Sequence, residues 1–236
     1  MLPLGHRPMI EWVVDHLREH GVDEAVLSLG YRPDAFIEAF DDDCNGVRLR
    51  YAVEPEPLDT AGAIRFAARE AGIDDTFIVV NGDVLTDLDV DALVRFHRER
   101  GAEATIHLTP VDDPSVFGVV PTDDEGRVIA FIEKPPRDQA PTNRINAGTY
   151  VFEPSVLDRI ASDRRVSIER EVFPAMADEG RLYAMATDDY WLDTGTPQQF
   201  LKANLDLLGA RERHRVDGVA RTALVDATAI SGPECT

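Results

Sequence analysis

Between residues 8 and 101, short apolar runs alternate with amphipathic stretches, the way strands and crossover helices of a parallel sheet read. Ile10, Val13, Val14 and Leu17 recur at helical spacing behind Pro8, which predicts a helix over 8–19 that stops at Gly21. The same pattern gives strands at 25–29, 50–53 and 77–80, and helices at 33–40, 60–71 and 88–100. That order implies βαβ units. After Gly101 the rhythm changes. Strands at 104–109, 117–120, 128–132 and 146–152 come with turns and little helix between them, so this half is expected to be mixed and partly antiparallel. Helices return at 155–160, 167–178 and 197–208, the last with Thr196 as cap and Pro197 in its first turn. The expected class is α/β, a Rossmann-like mixed sheet with helices on both faces.

The tail has a different period. Val219 and Val225, Ala223 and Ala229, and Leu224 and Ile230 each recur at a spacing of six, the period of a hexapeptide β-helix. The chain is therefore read as a main domain over 1–210 followed, over 216–236, by the beginning of a left-handed β-helix. An irregular tail rich in Ala and Thr is the alternative.

Composition narrows the function. A chain of 236 residues with 44% hydrophobic side chains has a core to build, which excludes disorder as its overall state. Its 24 basic and 44 acidic residues leave a net charge of −20, which argues against nucleic acid and anionic membranes as partners. There is no apolar run of about 18 residues and no signal-peptide pattern at the start, so a cytosolic location is expected. Cys44 and Cys235 are too few for a disulfide framework and are not spaced like a zinc site. Lys134 and Lys202 are the only lysines, arginine supplies every other strong base, and Asp outnumbers Glu. An Asp-rich, Lys-poor shell suits a protein adapted to very high salt.

Three features carry candidate chemistry. The apolar strand at 77–80 runs into Asn81-Gly82-Asp83. A strand end of this kind delivers a carboxylate to the rim where open α/β sheets bind ligands, so Asp83 is a candidate Mg²⁺ ligand, with capping of the next turn as the competing role. Asp193, in Trp191-Leu192-Asp193-Thr194-Gly195, stands at a strand-to-helix junction and is either a second metal carboxylate or a cap. Lys134, in Glu133-Lys134-Pro135, is a compact point charge suited to a single phosphate. Glu133 beside it has the chemistry to accept hydrogen bonds from sugar hydroxyls, or to form an ordinary surface ion pair.

Together and in order, these motifs resemble the sugar-1-phosphate nucleotidylyltransferases, the NDP-sugar pyrophosphorylases. Leu58 to Ala63 is similar to that family's Leu-Gly-Thr-Ala-Gly-Ala motif, Asn81 to Asp83 to its metal motif, and Trp191 to Pro197 to its second metal motif. Phe117-Gly118-Val119, Glu133-Lys134-Pro135 and Asn146-Ala147-Gly148 are similar to its sugar-binding stretches. Within the family, the stretches at 112–119 and 166–174 look most like mannose-1-phosphate guanylyltransferases. The resemblance implies a nucleotide-diphospho-sugar transferase fold and in-line attack of a sugar 1-phosphate on the α-phosphorus of a nucleoside triphosphate. It makes Asp83 and Asp193 the Mg²⁺ ligands and Lys134 the contact to the sugar phosphate. Gly118, Glu133, Asn146 and Gly148 then line the sugar pocket, with Thr60, Ala61 and Gly62 near the nucleoside. It places Glu54 where uridylyl and thymidylyl enzymes have a glutamine. A carboxylate accepts the paired donors of guanine, which favours GTP.

Two departures qualify the resemblance. Asp59 stands where the family has glycine. Family members also open with a strand and a Gly-x-Gly-Thr-Arg loop, whereas this chain starts just downstream. A slot in the sheet with open strand edges is therefore expected, together with an unstable or inactive chain. A catalytically impaired sugar-nucleotide-binding or regulatory paralogue, a glucose-1-phosphate uridylyl or thymidylyl enzyme, and a metal-dependent glycosyltransferase are the rival readings. The last would use carboxylates such as Asp87, Asp89 and Asp91, which read instead as a helix start. Small-molecule substrates and a possible homo-oligomer complete the expectations.

Overall fold

A computed structural model describes residues 3–210, and the hexad tail and Cys235 lie outside them. The first half contains a small hairpin, β1 (Pro3–Leu4) with β2 (Arg7–Pro8), then α1 (Met9–Glu19), β3 (Glu24–Leu29), α2 (Asp34–Phe40), β4 (Asp43–Cys44), β5 (Val47–Val53) and α3 (Asp59–Ala71). Next come β6 (Phe77–Val80), β7 (Val84–Thr86) and α4 (Val90–Arg100). The second half contains β8 (Ala104–Pro110), β9 (Gly118–Val119), β10 (Ile132–Glu133), β11 (Arg144–Phe152), α5 (Phe173–Asp178), β12 (Leu182–Ala186), β13 (Trp191–Asp193) and α6 (Pro197–Ala210). Asp89 caps α4 by accepting the Ala92 amide at 2.8 Å, so the Asp87 to Asp91 run is a helix start. Thr196 caps α6 through the Gln199 amide. The expected strand at 128–132 shrinks to Ile132–Glu133, and the helix expected over 155–160 is a 3-10 helix at Pro154–Arg159.

A mixed six-stranded sheet, in the order β10-β9-β11-β8-β12 with β6 also on β11, forms the body. Strand β11 explains why helices cover both faces. Tyr150 and Phe152 pack on one side with Ala61 and Ala68 of α3 and Phe173 of α5, while Val151 packs on the other with α1 and α4. One expectation needs correction. The apolar run at 77–80 is not paired within a parallel βαβ sheet: β6 lies antiparallel on β11, and among the described residues only β3 with β5 forms a parallel pair in the first half.

The expected opening is present. Strands β3 and β6 face each other across a cavity of about 940 Å³, which is lined by every residue from Glu24 to Leu29 and from Phe77 to Val80. The face of a sheet would contribute alternate residues only, so consecutive lining means that the two strand edges border the space. Neither apolar strand has a single buried residue. Cys44 is buried, and burial pushes its thiol up to about 11, which leaves it chemically quiet.

Candidate active site

The two predicted carboxylates come together through a pairing that the sequence alone did not announce. Strands β7 and β13 are antiparallel, with Asp193 opposite Val84. The backbone carbonyl of Asp83 accepts both the Thr194 amide and the Thr194 hydroxyl at 2.9 Å. A Cβ placed on Gly195 would lie 3.0 Å from Asp193 Oδ1 and 3.8 Å from Asp83 Oδ2. Asp193 Oδ1 also accepts the Gly195 amide at 2.7 Å. The helix cap is Thr196, so Asp193 is free of that role. Protein packed around the Asp83 carboxyl, and then the Asp193 charge, raise its pKa above the usual carboxylate value.

The sugar-type stretches adjoin this pair through aromatic and backbone contacts. Trp191 donates its indole N–H to the Ala147 carbonyl at 2.8 Å and meets Phe117 edge-on at 5.7 Å. Lys134 donates its backbone N–H to Phe117, and its Nζ lies 3.8 Å from Glu133 Oε1. Gly118 is obligatory by close approach: a Cβ there would come within 2.6 Å of the Phe131 ring and 3.2 Å of Glu133 Oε2. The Asn146 side chain is committed to its own strand, accepting the Gly148 amide at 3.1 Å and donating to the Tyr150 hydroxyl at 2.9 Å. That buried phenol sits among Glu133, Asp83 and Glu169, whose charges, with desolvation as the larger cause, raise its pKa.

Strand β11 has a register break between Asn146 and Tyr150, where this segment turns toward Asn81. There the Gly148 amide donates to its own strand's Asn146 side chain, and the Gly148 carbonyl accepts the Asn81 amide.

The nucleotide-type residues divide. Thr60 and Asp83 line the large cavity together with Thr194, Gly195 and Glu169. Ala61 and Gly62 are buried, and both their amides go to the Val166 carbonyl at 3.0 and 3.2 Å. Glu54 is outside the cavity lining and holds its own loop, accepting the Leu58 amide at 3.1 Å and the Ser28 hydroxyl at 3.3 Å. Asp59 takes φ 65°, the left-handed conformation a glycine adopts without strain, which accounts for the family's preference at that position. Sequence reasoning missed Tyr150, Thr194 and Glu169. Only the interleaved Thr194 between Asp193 and Gly195 carried a usable signal, a hydroxyl beside a candidate carboxylate.

Residues 1–209 match the family model described as nucleotidyl transferase, and the chain belongs to that family. It is 41% identical over 211 residues to a mannose-1-phosphate guanylyltransferase of Mycobacterium tuberculosis, covering 88% of this chain and 58% of that protein. To a mannose-1-phosphate guanyltransferase of Aspergillus oryzae it is 38% identical over 252 residues, covering 100% of this chain and 68% of the relative. Among solved structures, HddC from Yersinia pseudotuberculosis superposes with a TM-score of 0.76 at 27% identity, covering 88% of each chain. The same protein complexed with GMP-PN gives a TM-score of 0.75, again with 27% identity and 88% of each chain. The chain thus spans 58% of the length of the first relative and 68% of the second. No helix among the described residues is long and apolar enough to cross a membrane.

Proposed function

We propose that the protein transfers a guanylyl group from GTP to mannose 1-phosphate, giving GDP-mannose and pyrophosphate. The observation that carries this reading is the approach of Asp83 and Asp193 beside the β7/β13 pair, where Asp83, Thr194 and Gly195 line a cavity that Thr60 also lines. The names of the relatives from M. tuberculosis and A. oryzae support the choice of base and sugar.

Two neighbouring carboxylates form a hard oxygen donor set, and the raised pKa of Asp83 marks a site that gains from a cation. Asp83 and Asp193 would hold Mg²⁺, which when bound supplies charge neutralisation to the phosphates. The chain's own groups then position two polyanions. An oxygen of the sugar 1-phosphate forms a new bond to the α-phosphorus while the bond to the β-phosphate oxygen breaks, and that electron pair leaves with pyrophosphate. Lys134 offers its ammonium to the sugar phosphate, and Glu133 accepts from a sugar hydroxyl. No covalent enzyme intermediate and no side-chain base are required.

The test is pyrophosphate release and nucleotide-sugar formation from GTP and mannose 1-phosphate with Mg²⁺, run beside UTP or dTTP with glucose 1-phosphate. GDP-mannose formed preferentially supports the reading. Faster turnover of the glucose pair transfers the protein to the uridylyl or thymidylyl class. GDP-mannose binding without turnover makes it a binding paralogue, and transfer of an intact sugar makes it a glycosyltransferase.

A further inference from the structure

The stretch at 166–174, similar to mannose-type enzymes, has no assigned role, yet it is stitched to the beginning of α3. Helix α3 starts without a side-chain cap of its own. Of its first amides, Thr60 donates to the Asp59 side chain at 2.9 Å, while Ala61 and Gly62 are satisfied from outside by the Val166 carbonyl, and the Val166 amide donates to Leu58. Thr60 Oγ1 accepts the Ile168 amide at 2.9 Å and donates its hydrogen to Glu169 Oε2 at 2.7 Å. Ser167 donates its hydroxyl to the same Glu169 oxygen at 2.7 Å, and itself accepts the Arg170 amide at 3.3 Å. Residues Ile168–Val172 form a π-helical turn, a form concentrated at functional sites.

We propose that Glu169 is a positioning residue that fixes Thr60 and the first turn of α3 for the nucleotide. The inference rests on the nucleotidyl-transfer reading for the identity of that ligand. A hydroxyl has one hydrogen, and here both hydroxyl hydrogens are spent on one carboxylate oxygen. Thr60 therefore cannot donate to a ligand while the latch is closed; it acts by where it places the backbone. Glu169 is half-buried and lines the same cavity as Asp83, so its latch sits between the protein interior and the ligand space. Its carboxylate lies beside the first turn of α3, where it accepts the Thr60 hydroxyl and holds the latch closed.

The decisive comparison is Glu169→Ala against Glu169→Gln, with Thr60→Val as a second way to open the latch if the alanine variant folds poorly. Glutamine keeps an amide oxygen able to accept both hydroxyls. Titrations with GTP and, separately, mannose 1-phosphate should show GTP affinity falling about tenfold in Glu169→Ala and Thr60→Val, recovering in Glu169→Gln, with mannose 1-phosphate affinity unchanged. The Glu169→Ala and Thr60→Val effects should not add when combined. Unchanged GTP affinity, or equal loss for both ligands, overturns the proposal, because a purely structural brace would not discriminate between them. If the wild-type chain binds no nucleoside triphosphate, the nucleotidyl-transfer reading fails, and amide exchange then decides the latch alone. Faster exchange at Ala61, Gly62 and Ile168 in Glu169→Ala supports it, and unchanged exchange at those amides overturns it.

Discussion

Gly148 and Asn81 are locked together: the Gly148 carbonyl accepts the Asn81 amide at 2.8 Å, and a Cβ on Gly148 would fall 2.6 Å from Asn81 Nδ2. Gly148 also has φ 78°, which an L side chain adopts only with strain. This contact ties the Asn146-Ala147-Gly148 stretch to the loop that carries Asp83. Gly148→Ala is therefore expected to cost about 2 kcal/mol through strain and overpacking, or roughly 4–8 °C in melting temperature for a chain of this size. A thermal melt beside wild type measures it. A melting temperature within a degree of wild type would show that Asn81 simply swings aside.

Asp83 should trade stability for function. Its pKa is raised in the folded state, first by desolvation and then by Asp193, so the folded protein holds its proton to higher pH than the unfolded chain does. Stability is then lost as pH rises from the ordinary carboxylate range through the raised value, and the cost is present at neutral pH. Asp83→Asn is expected to melt higher than wild type at pH 7 in EDTA, while nucleotidyl transfer falls about a hundredfold or more. Added Mg²⁺ should raise the melting temperature of wild type and not of the variant. Equal responses to Mg²⁺ in the two proteins would count against Asp83 as a Mg²⁺ ligand.

Glu54 tests base selection. Its carboxylate already accepts from Leu58 and Ser28, each oxygen retaining a further lone pair for a ligand. Glu54→Gln places an amide N–H₂ where one acceptor was, so the preference for GTP over dTTP should narrow about tenfold. An unchanged preference in competitive binding would leave Glu54 as a loop brace only.

Salt dependence tests the origin of the acidity. A net charge of −20 repels itself, and raising KCl from low to molar concentration shortens the screening length from tens of ångströms to about 3 Å. The urea midpoint is expected to rise across that range. A flat or falling midpoint would mean that the Asp-rich surface is unrelated to salt.

Much of the site was legible because its chemistry is local. Asn81-Gly82-Asp83 and Glu133-Lys134-Pro135 each sit at the end of an apolar run, where pattern and residue type coincide. The meeting of Asp83 with Asp193 was less so, since β7 is only three residues long and β13 likewise, too short for alternation to register. The pairing of β6 misled for a related reason: Phe, Ile, Val and Val read as a strand buried on both faces, which suits a parallel sheet, but β6 pairs antiparallel on β11. Glu169 was invisible because its partner Thr60 lies 109 residues away along the chain and meets it only through tertiary packing. Asp59 was read as a chemical departure, whereas the structure makes it a conformational one.

The gap between β3 and β6 also sets how the molecule comes apart. Among the described residues no strand pairing crosses it, so the β3-β5-β4 sheet is joined to the larger sheet through helix packing and turns. Opening free energies in native-state hydrogen exchange then fall into two groups rather than one. Amides of Val47–Val53 should exchange through a low-energy opening of the small sheet, while those of Tyr150, Val151 and Phe152, paired on both sides by β6 and β8, wait for global unfolding. All six residues of β3, in the small sheet, line the cavity, so any ligand that seats across the gap will be felt as mechanical coupling between two units that otherwise breathe independently.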